Sequence, residues 1–517
     1  MTIAENHNQV VTFGCRLNAY ESEAIKQAVS QSHQNNIIVF NSCAVTSEAE
    51  RQLRQAVRKA RKENPDAKIV VTGCAAQIDP QKYAKMAEVD LVLGNQEKSK
   101  AESYLGKKTI NGLFGAELPK VDKTLSDNFV KQDNLLESKD LTFVKQDGLL
   151  EDKDLTTHKD IPLEKKDLAT HKDIPLENKD LTAHQDKLFL DAKKQSANFL
   201  TPDETAKILV NDIMSVRETA PQLVSYFENK TRAFLEIQNG CNHRCTFCII
   251  PFGRGNSRSV AFGEIVAQVK KMVAAGHKEV VFTGVDISDY GKDLAAPITL
   301  SQMMKRLLVL VPELPRLRLS SIDVAEIDNG LLDLIAHEPR LMPYLHLSVQ
   351  SGDDMILKRM KRRHSRAQIL EFCAKVRKLR PEITFGADII AGFPTETDDM
   401  FENSLRLIKE AGIIFTHIFP YSKRDGTPAA KMPQVNGTII KKRAKILREA
   451  GEAELKKYLQ TQIGKTLNVI VEKNNLAKSE NFLDVKIIAE NNLQSGEILK
   501  IKVLAVEENY LIGDLKI

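Results

Sequence analysis

The chain has 517 residues, 42% hydrophobic and 28% charged, with seven cysteines and a net charge of +5. That length predicts several domains, no apolar run approaches the ~20 residues of a membrane span, and so small a net charge does not by itself imply nucleic acid. Residues 1–10 lack the basic-then-apolar pattern of a signal peptide. A cytoplasmic protein without membrane association is expected, its cysteines serving as thiols or metal ligands rather than disulfides.

Residues 1–119 read as a small parallel α/β domain. Strand-like runs at 10–13, 36–41 and 68–72 alternate with helical stretches, and 90–93 is a fourth candidate strand. The helix over 51–62 is strongly basic. Cys15, Cys43 and Cys74 each follow a strand at its carboxyl end. In a parallel sheet those ends share one edge, so three distant cysteines can converge there. Three thiolates can hold three irons of a 4Fe–4S cluster and leave the fourth iron open.

Residues 120–198 are repetitive. Phe129 to Glu137 returns almost unchanged from Phe143 to Glu151, and Thr157 to Glu164 from Thr170 to Glu177. Few large apolar residues are available to bury, so a low-complexity, disordered insert is expected. His158, His171 and His184 recur with the repeat and are copies rather than metal ligands.

Residues 225–440 carry six strand-like runs, at 234–237, 279–283, 316–320, 344–349, 385–390 and 416–420, with amphipathic helical patterns between them. Six β/α units predict an open (β/α)6 partial barrel. The first run leads directly into Gly240-Cys241-Asn242-His243-Arg244-Cys245-Thr246-Phe247-Cys248. Its C-x3-C-x2-C spacing favours an iron–sulfur cluster with an open iron over a four-ligand structural zinc site. His243 completes a zinc set only through a strained loop. Cys373 falls in the apolar pattern of a helix and belongs to the core. Arg254 and Arg258 lie just beyond the cysteine loop, suited to an RNA phosphate or a carboxylate on a modified base. The basic run Lys358 to His364 has no acidic residue within it and is a further candidate for phosphate. Residues 451–517 follow a basic helix and form short alternating runs, which predict a small antiparallel barrel.

The cysteine loop, continued by Ile249-Ile250-Pro251-Phe252-Gly253-Arg254-Gly255, resembles the radical S-adenosylmethionine (SAM) enzymes, and more narrowly the methylthiotransferases. The blocks around Cys15, Cys43 and Cys74 match that family in order. Arg16 followed by Tyr20-Glu21-Ser22 is most similar to the branch acting on N6-threonylcarbamoyladenosine of tRNA. The carboxyl-terminal runs resemble the RNA-binding TRAM barrel.

The resemblance implies two 4Fe–4S clusters, on Cys241, Cys245 and Cys248 and on Cys15, Cys43 and Cys74. SAM bound at the first cluster yields a 5′-deoxyadenosyl radical, and a further SAM methylates sulfur at the second. The residues just past the strands would line the cofactor site: Gly284, Val285, Ser320, Ser321, Gln350, Ser351 and Asp388. Arg254, Arg258 and Arg424 would face substrate. No protein acid or base is expected, because the hard chemistry belongs to the cofactors. The implied partners are tRNA, a sulfur donor and an electron donor, and the sequence identifies neither donor. Isopentenyladenosine of tRNA and a ribosomal-protein aspartate are alternative substrates, and a non-catalytic iron–sulfur RNA sensor is the alternative outside the class.

Overall fold

The computed structural model describes residues 8–105, 206–217, 231–489 and 491–515. The repeats read over 120–198 lie outside the described residues. The first sheet contains β1 (Gln9–Thr12), β2 (Ile37–Ser42), β3 (Lys68–Gly73), β4 (Leu91–Leu93) and β5 (Ile208–Leu209), in that order and all parallel. All six residues of β2 and five of the six in β3 are buried, as expected for strands covered on both faces. The edge strand β5 comes from beyond the repeats. The sequence reading of a first domain ending at residue 119 does not contain it, because two residues are too few to carry a periodicity.

Helix α1 (Arg16–Gln31) follows β1, and α2 (Ser47–Glu63) follows β2. Thr46 caps α2 by accepting from the Ala49 amide at 3.2 Å. Glu48 and Glu50 sit in the first turn of α2 and Arg61 and Lys62 in its last, which suits the helix dipole. Several of its basic side chains have acidic partners, including Arg51 with Glu48 and Arg61 with Asp90. Their charge is therefore partly compensated locally.

The central barrel is built from β6 (Arg232–Asn239), β7 (Arg258–Ser259), β8 (Glu279–Gly284), β9 (Arg316–Leu319), β10 (Ser321–Ile322), β11 (Tyr344–Gln350), β12 (Thr384–Ala391) and β13 (Ile413–Pro420). Two four-stranded sheets result, β7-β6-β8-β9 and β10-β11-β12-β13. The six expected runs are all present. The third is broken at Ser320 into β9 and β10, so one strand serves both sheets. No ladder joins β13 to β6 among the described residues, and the barrel is open there. Helix α1 packs against β6 and β8.

Alternation along the strands sorts the barrel into two faces. Leu235, Ile237, Val280, Phe282, Leu317, Leu345, Leu347, Phe385 and Ile389 join the large core shared with the helices, and Cys373 lies in that core as expected. The alternate residues turn inward and are largely polar, among them Arg232, Glu236, Glu279, Arg318, His346 and Asp388. Gly386 makes room in this lumen. A Cβ there would lie 2.5 Å from Tyr344 Oη and 2.6 Å from His346 Nδ1.

Helix Gly437–Gln460 leads into β14 (Thr466–Val471), β15 (Leu476–Ser479), β16 (Asp484–Ile488), β17 (Ile498–Glu507) and β18 (Tyr510–Asp514). They close into a barrel in the order β14-β15-β16-β18-β17. The expectation of a purely antiparallel barrel is corrected: β16 and β18 pair in parallel. That pairing brings β18 back across the barrel after β17, and β15 was too short and polar to be read.

The turn between β15 and β16 closes the lumen from the amino-terminal ends of the barrel strands. Phe482, at φ +73°, stacks on Tyr344 with ring centroids 4.5 Å apart. The Thr384 hydroxyl donates to Asn481 O at 2.7 Å, and Arg318 donates to Glu480 O at 3.0 Å. A bulky residue at positive φ costs free energy, and here the stacking and the surrounding cations hold it.

Candidate active site

Parallel register places the three amino-terminal cysteines together. Thr12 pairs with Asn41 and Asn41 with Thr72, so Cys15, Cys43 and Cys74 emerge from one edge. Gly14, at φ +99°, approaches so closely that a Cβ there would lie 2.7 Å from Cys43 Cβ. A polar web fixes the edge. Asn18 donates to Phe13 O at 2.7 Å and Ser42 O at 3.0 Å, and Asn41 donates to Asn18 O at 3.0 Å. Burial pushes the Cys43 thiol up to about 12, helped by Cys74 and Cys15. Cys15 is exposed at the sheet edge, but the chain crowding around its sulfur likewise raises the thiol, opposed by Arg254.

Arg254 ends the short helix Ile250–Arg254, just after the second cysteine loop. It does not face solvent, which corrects its assignment to an RNA phosphate. Its side chain is 3% exposed and pairs with Glu21 Oε1 at 2.6 Å. It also donates to Asn18 Oδ1 at 2.6 Å, and its Nε points at Cys74 Sγ at 3.2 Å. Glu21 receives a second cation, Lys98, at 2.7 Å. Burial alone would raise the Glu21 carboxyl, but Arg254 and Lys98 hold it down to about 2. Glu236 has no such help: burial, then the charge of Glu21, pushes it up to about 7.

The second cysteine set occupies the loop after β6. The Cys241 amide donates to Gly255 O at 3.1 Å and the Cys248 amide to Cys245 O at 3.0 Å, which curls the loop on itself. Thr246 pins it to the far side of the barrel through Arg359 O at 2.7 Å. Burial raises the Cys241 thiol, with Asp286 next, and pushes Cys248 up to about 12, with Cys245 next. Arg362 Nη1 lies 3.7 Å from Cys245 Sγ. His243 Nε2 is engaged by Asp286 Oδ2 at 2.8 Å. Hydrogen bonds to Asp286 and Glu326 push His243 up to about 10.

The basic run Lys358 to His364 is reassigned in part. Its acidic partners come from elsewhere in the chain: Arg362 pairs with Asp323 at 2.9 Å and Arg363 with Glu326 at 2.9 Å. These pairs brace the loop that carries Cys245. Burial opposes ionisation of Glu326, but His243, Arg363 and Lys292 hold its carboxyl down to about 2. A depressed carboxylate contributes stability that is complete above its unfolded value and is lost as pH falls through its folded one. The unfolding temperature is therefore expected to drop between the ordinary 4.5 and about 2. Glu326→Gln should flatten that limb in a melting series across this range.

The remaining candidates divide. Gly284 and Val285 are tied to β6: the Val285 amide donates to Gln238 Oε1 at 3.1 Å, and a Cβ on Gly284 would lie 2.6 Å from Gln238 O. Ser320 Oγ is buried with no hydrogen-bond partner among the described residues, an acceptor or donor left open at the break between the sheets. Ser321 pairs with His346 in the neighbouring strand. Gln350 and Asp388 line a cleft of ≈ 220 Å³ that opens between the two cysteine loops. Ser351 does not line it. It is fully buried, 3.3 Å from Ser404 Oγ, and accepts from the Asp353 amide at 3.2 Å, so its assignment to cofactor is corrected to a packing role at the end of the strand. Arg258 is also corrected: it is buried and donates to Arg254 O at 3.0 Å and Asn256 O at 2.8 Å. Arg424 crosses to Glu50 at 2.5 Å and ties β13's loop to α2.

The sequence reading missed the partners that matter most to the lumen. Asp388 Oδ1 is held by His346 Nε2 at 2.9 Å and His417 Nδ1 at 3.3 Å, and Tyr344 Oη meets His346 Nδ1 at 2.8 Å. Burial opposes ionisation of Asp388, but the two imidazoles hold it well below the usual carboxylate range. The alternation Tyr344-Leu345-His346-Leu347 was the available signal.

A six-stranded open barrel with a C-x3-C-x2-C loop after its first strand, joined to a parallel sheet with its own cysteine triad, defines a radical SAM enzyme of the methylthiotransferase class. Residues 235–408 match the radical SAM superfamily, and residues 7–94 match an uncharacterized family designated UPF0004. The superfamily uses SAM and a 4Fe–4S cluster. The chain belongs to the threonylcarbamoyladenosine tRNA methylthiotransferase (MtaB) family. It is 46% identical to that protein of Rickettsia prowazekii, over 97% of this chain and 96% of the relative. It is 31% identical to the Aquifex aeolicus protein of the same name, over 95% and 98%. The tRNA-2-methylthio-N(6)-dimethylallyladenosine synthase of Rickettsia rickettsii is 34% identical, over only 55% of this chain and 66% of its own length. Among the described residues no helix is long and apolar enough to cross a membrane.

Proposed function

We propose that the protein converts N6-threonylcarbamoyladenosine at position 37 of tRNA, next to the anticodon, to its 2-methylthio form. One observation carries the reading: the loops of both cysteine sets border a single cleft, Val45 and Thr46 on one side and Phe247 on the other. Joining sulfur to an unreactive base carbon requires both sites to reach one pocket. The name borne by the Rickettsia prowazekii relative supports the choice of base.

Cys241, Cys245 and Cys248 would hold the SAM-binding cluster, and Cys15, Cys43 and Cys74 a second 4Fe–4S cluster. The donor sets fit. All six are free cysteines. Arg254 and Arg362 each aim an N–H at a cysteine sulfur, an arrangement suited to thiolates. When bound, the clusters and SAM supply the radical and the methylthio group. The chain's own residues do the placing. Gly284, Val285, Ser320, Ser321 and Gln350 would border SAM, with the open Ser320 hydroxyl free to bond it. Arg254 offsets the charge at Cys74 and ties the two cysteine loops together. The walls of the cleft would exclude water from the reacting groups. The carboxyl-terminal barrel would grip tRNA through backbone and shape, in the cytoplasm.

The test is mass spectrometry of tRNA nucleosides from a host lacking its own methylthiotransferases, with and without this protein. Appearance of 2-methylthio-N6-threonylcarbamoyladenosine is expected. Appearance of the dimethylallyl analogue alone would keep the class and overturn the substrate.

A further inference from the structure

Four cations surround the ring of Phe482: Lys478 at 4.4 Å from its centroid, Arg318 at 5.1 Å, and Arg16 and Arg232 at 5.5 Å each. Three of them have carboxylates. Arg232 pairs with Glu472 at 2.8 Å, Arg318 with Glu279 at 2.8 Å, and Lys478 with Asp484. Arg16 makes no ion pair and donates no hydrogen bond among the described residues. The charges that act on it from within the barrel are Tyr344, Arg232, Arg318 and Asp388. Burial keeps the Tyr344 phenol neutral, so of these only Asp388 is an anion, and two imidazoles already hold its carboxylate.

Arg16 is half-buried; a guanidinium partly withdrawn from water without an anion is costly, and its planar fork matches a carboxylate. The position also has a way in. Asp388 lines the cleft between the two cysteine loops, and beneath it His346, Tyr344 and Phe482 follow in contact down to Arg16. A base seated between the loops would reach the guanidinium only through a substituent that extends inward past Asp388, since Arg16 lies beyond the residues that line the cleft.

Resting on the threonylcarbamoyladenosine reading, we infer that Arg16 receives the carboxylate of the threonylcarbamoyl substituent and sets the choice of substrate. A dimethylallyl group offers no anion and would leave the guanidinium unpaired. A site built for a hydrogen-bonding group rejects the analogue that lacks it. Arg16 stands at the first position of α1, one residue after Cys15, so the loop that would carry a cluster ligand also carries the substrate-selecting charge. The fork is poised without reorganisation, because α1 packs on β6 and β8 at the open side of the barrel.

The experiment uses the full, cluster-loaded enzyme and two synthetic anticodon stem–loops. One bears N6-threonylcarbamoyladenosine and the other its carboxyl methyl ester. KM for methylthiolation and, with reductant omitted, equilibrium binding are measured for each. The native enzyme is expected to favour the acid by about 10–100-fold in both readouts, the range of a hydrogen bond to a charged group. Arg16→Gln should bring the ratio close to one while iron content stays unchanged. If Arg16→Gln loses iron, Arg16→Lys carries the test, with an intermediate ratio expected because the charge remains and the fork is lost. Full discrimination retained in the variant that keeps its iron would overturn the inference alone. A native enzyme that modifies neither of the two stem–loops but does modify a third, bearing the dimethylallyl group, would overturn the substrate reading and the inference together.

Discussion

Cys245→Ala is expected to leave no detectable 5′-deoxyadenosine and no methylthiolated tRNA, while keeping about half of the iron, one cluster of two. Cys43→Ala is expected to do the reverse for the radical step: SAM cleavage persists and methylthiolation is lost. The two sets belong to different elements, the edge formed by β1 to β3 and the loop after β6, so neither set shares a sulfur with the other. The other donors near the second set, His243 and Asp286, stand beside Cys241 and engage each other at 2.8 Å. The side-chain partner of the Cys245 sulfur is the Arg362 guanidinium, which cannot bind a metal ion in its charged form. Iron analysis with product quantification checks both variants. Total loss of iron in either single variant would sink the independence of the two sites.

Arg254→Met should destabilise the protein by about 3–5 kcal/mol, the cost of stranding one member of a buried ion pair. The side chains of Arg254 and Glu21 are 3% and 2% exposed, so solvent cannot take over the lost partner. Glu21 would keep Lys98 but lose the shorter contact, and Glu236 would lose the cation that opposes its burial. Chemical denaturation of the variant and of Glu21→Gln measures the loss. A change under about 1 kcal/mol in both would show that the pair contributes no more than an exposed salt bridge. The double variant should cost less than the sum, since each removes the same contact.

Much of the scaffold was legible because its signals are local. Each cysteine of the first set follows an apolar run, and the second set has a spacing that few other sites use. The six barrel strands stood out as short runs of Val, Ile, Leu and Phe between helical patterns. What escaped depends on distance in sequence. Arg254 looks like a loop arginine until the fold brings Glu21 and Lys98 to it. The basic run from Lys358 looks unpaired until Asp323 and Glu326 arrive from the preceding β/α unit. Ser351 and Gln350 are neighbours in sequence, yet only Gln350 lines the cleft, because a turn at φ +69° buries the residue after it. His346, Asp388 and His417 come from three strands, and their meeting follows from register alone.

Phe482 bears on how far the chain can be taken apart. The turn it occupies belongs by sequence to the carboxyl-terminal barrel, but its ring closes the base of the neighbouring one against Tyr344 and Arg318. Removing the last domain would therefore do more than delete a separate barrel. It would uncover the Arg318–Glu279 pair, both now wholly shielded, and admit water beneath the His346–Asp388 contact. The two barrels share a packed floor through Phe482, Arg318 and Thr384. Exchanging the terminal barrel for one from another enzyme would need a matching aromatic plug, whatever its hold on RNA.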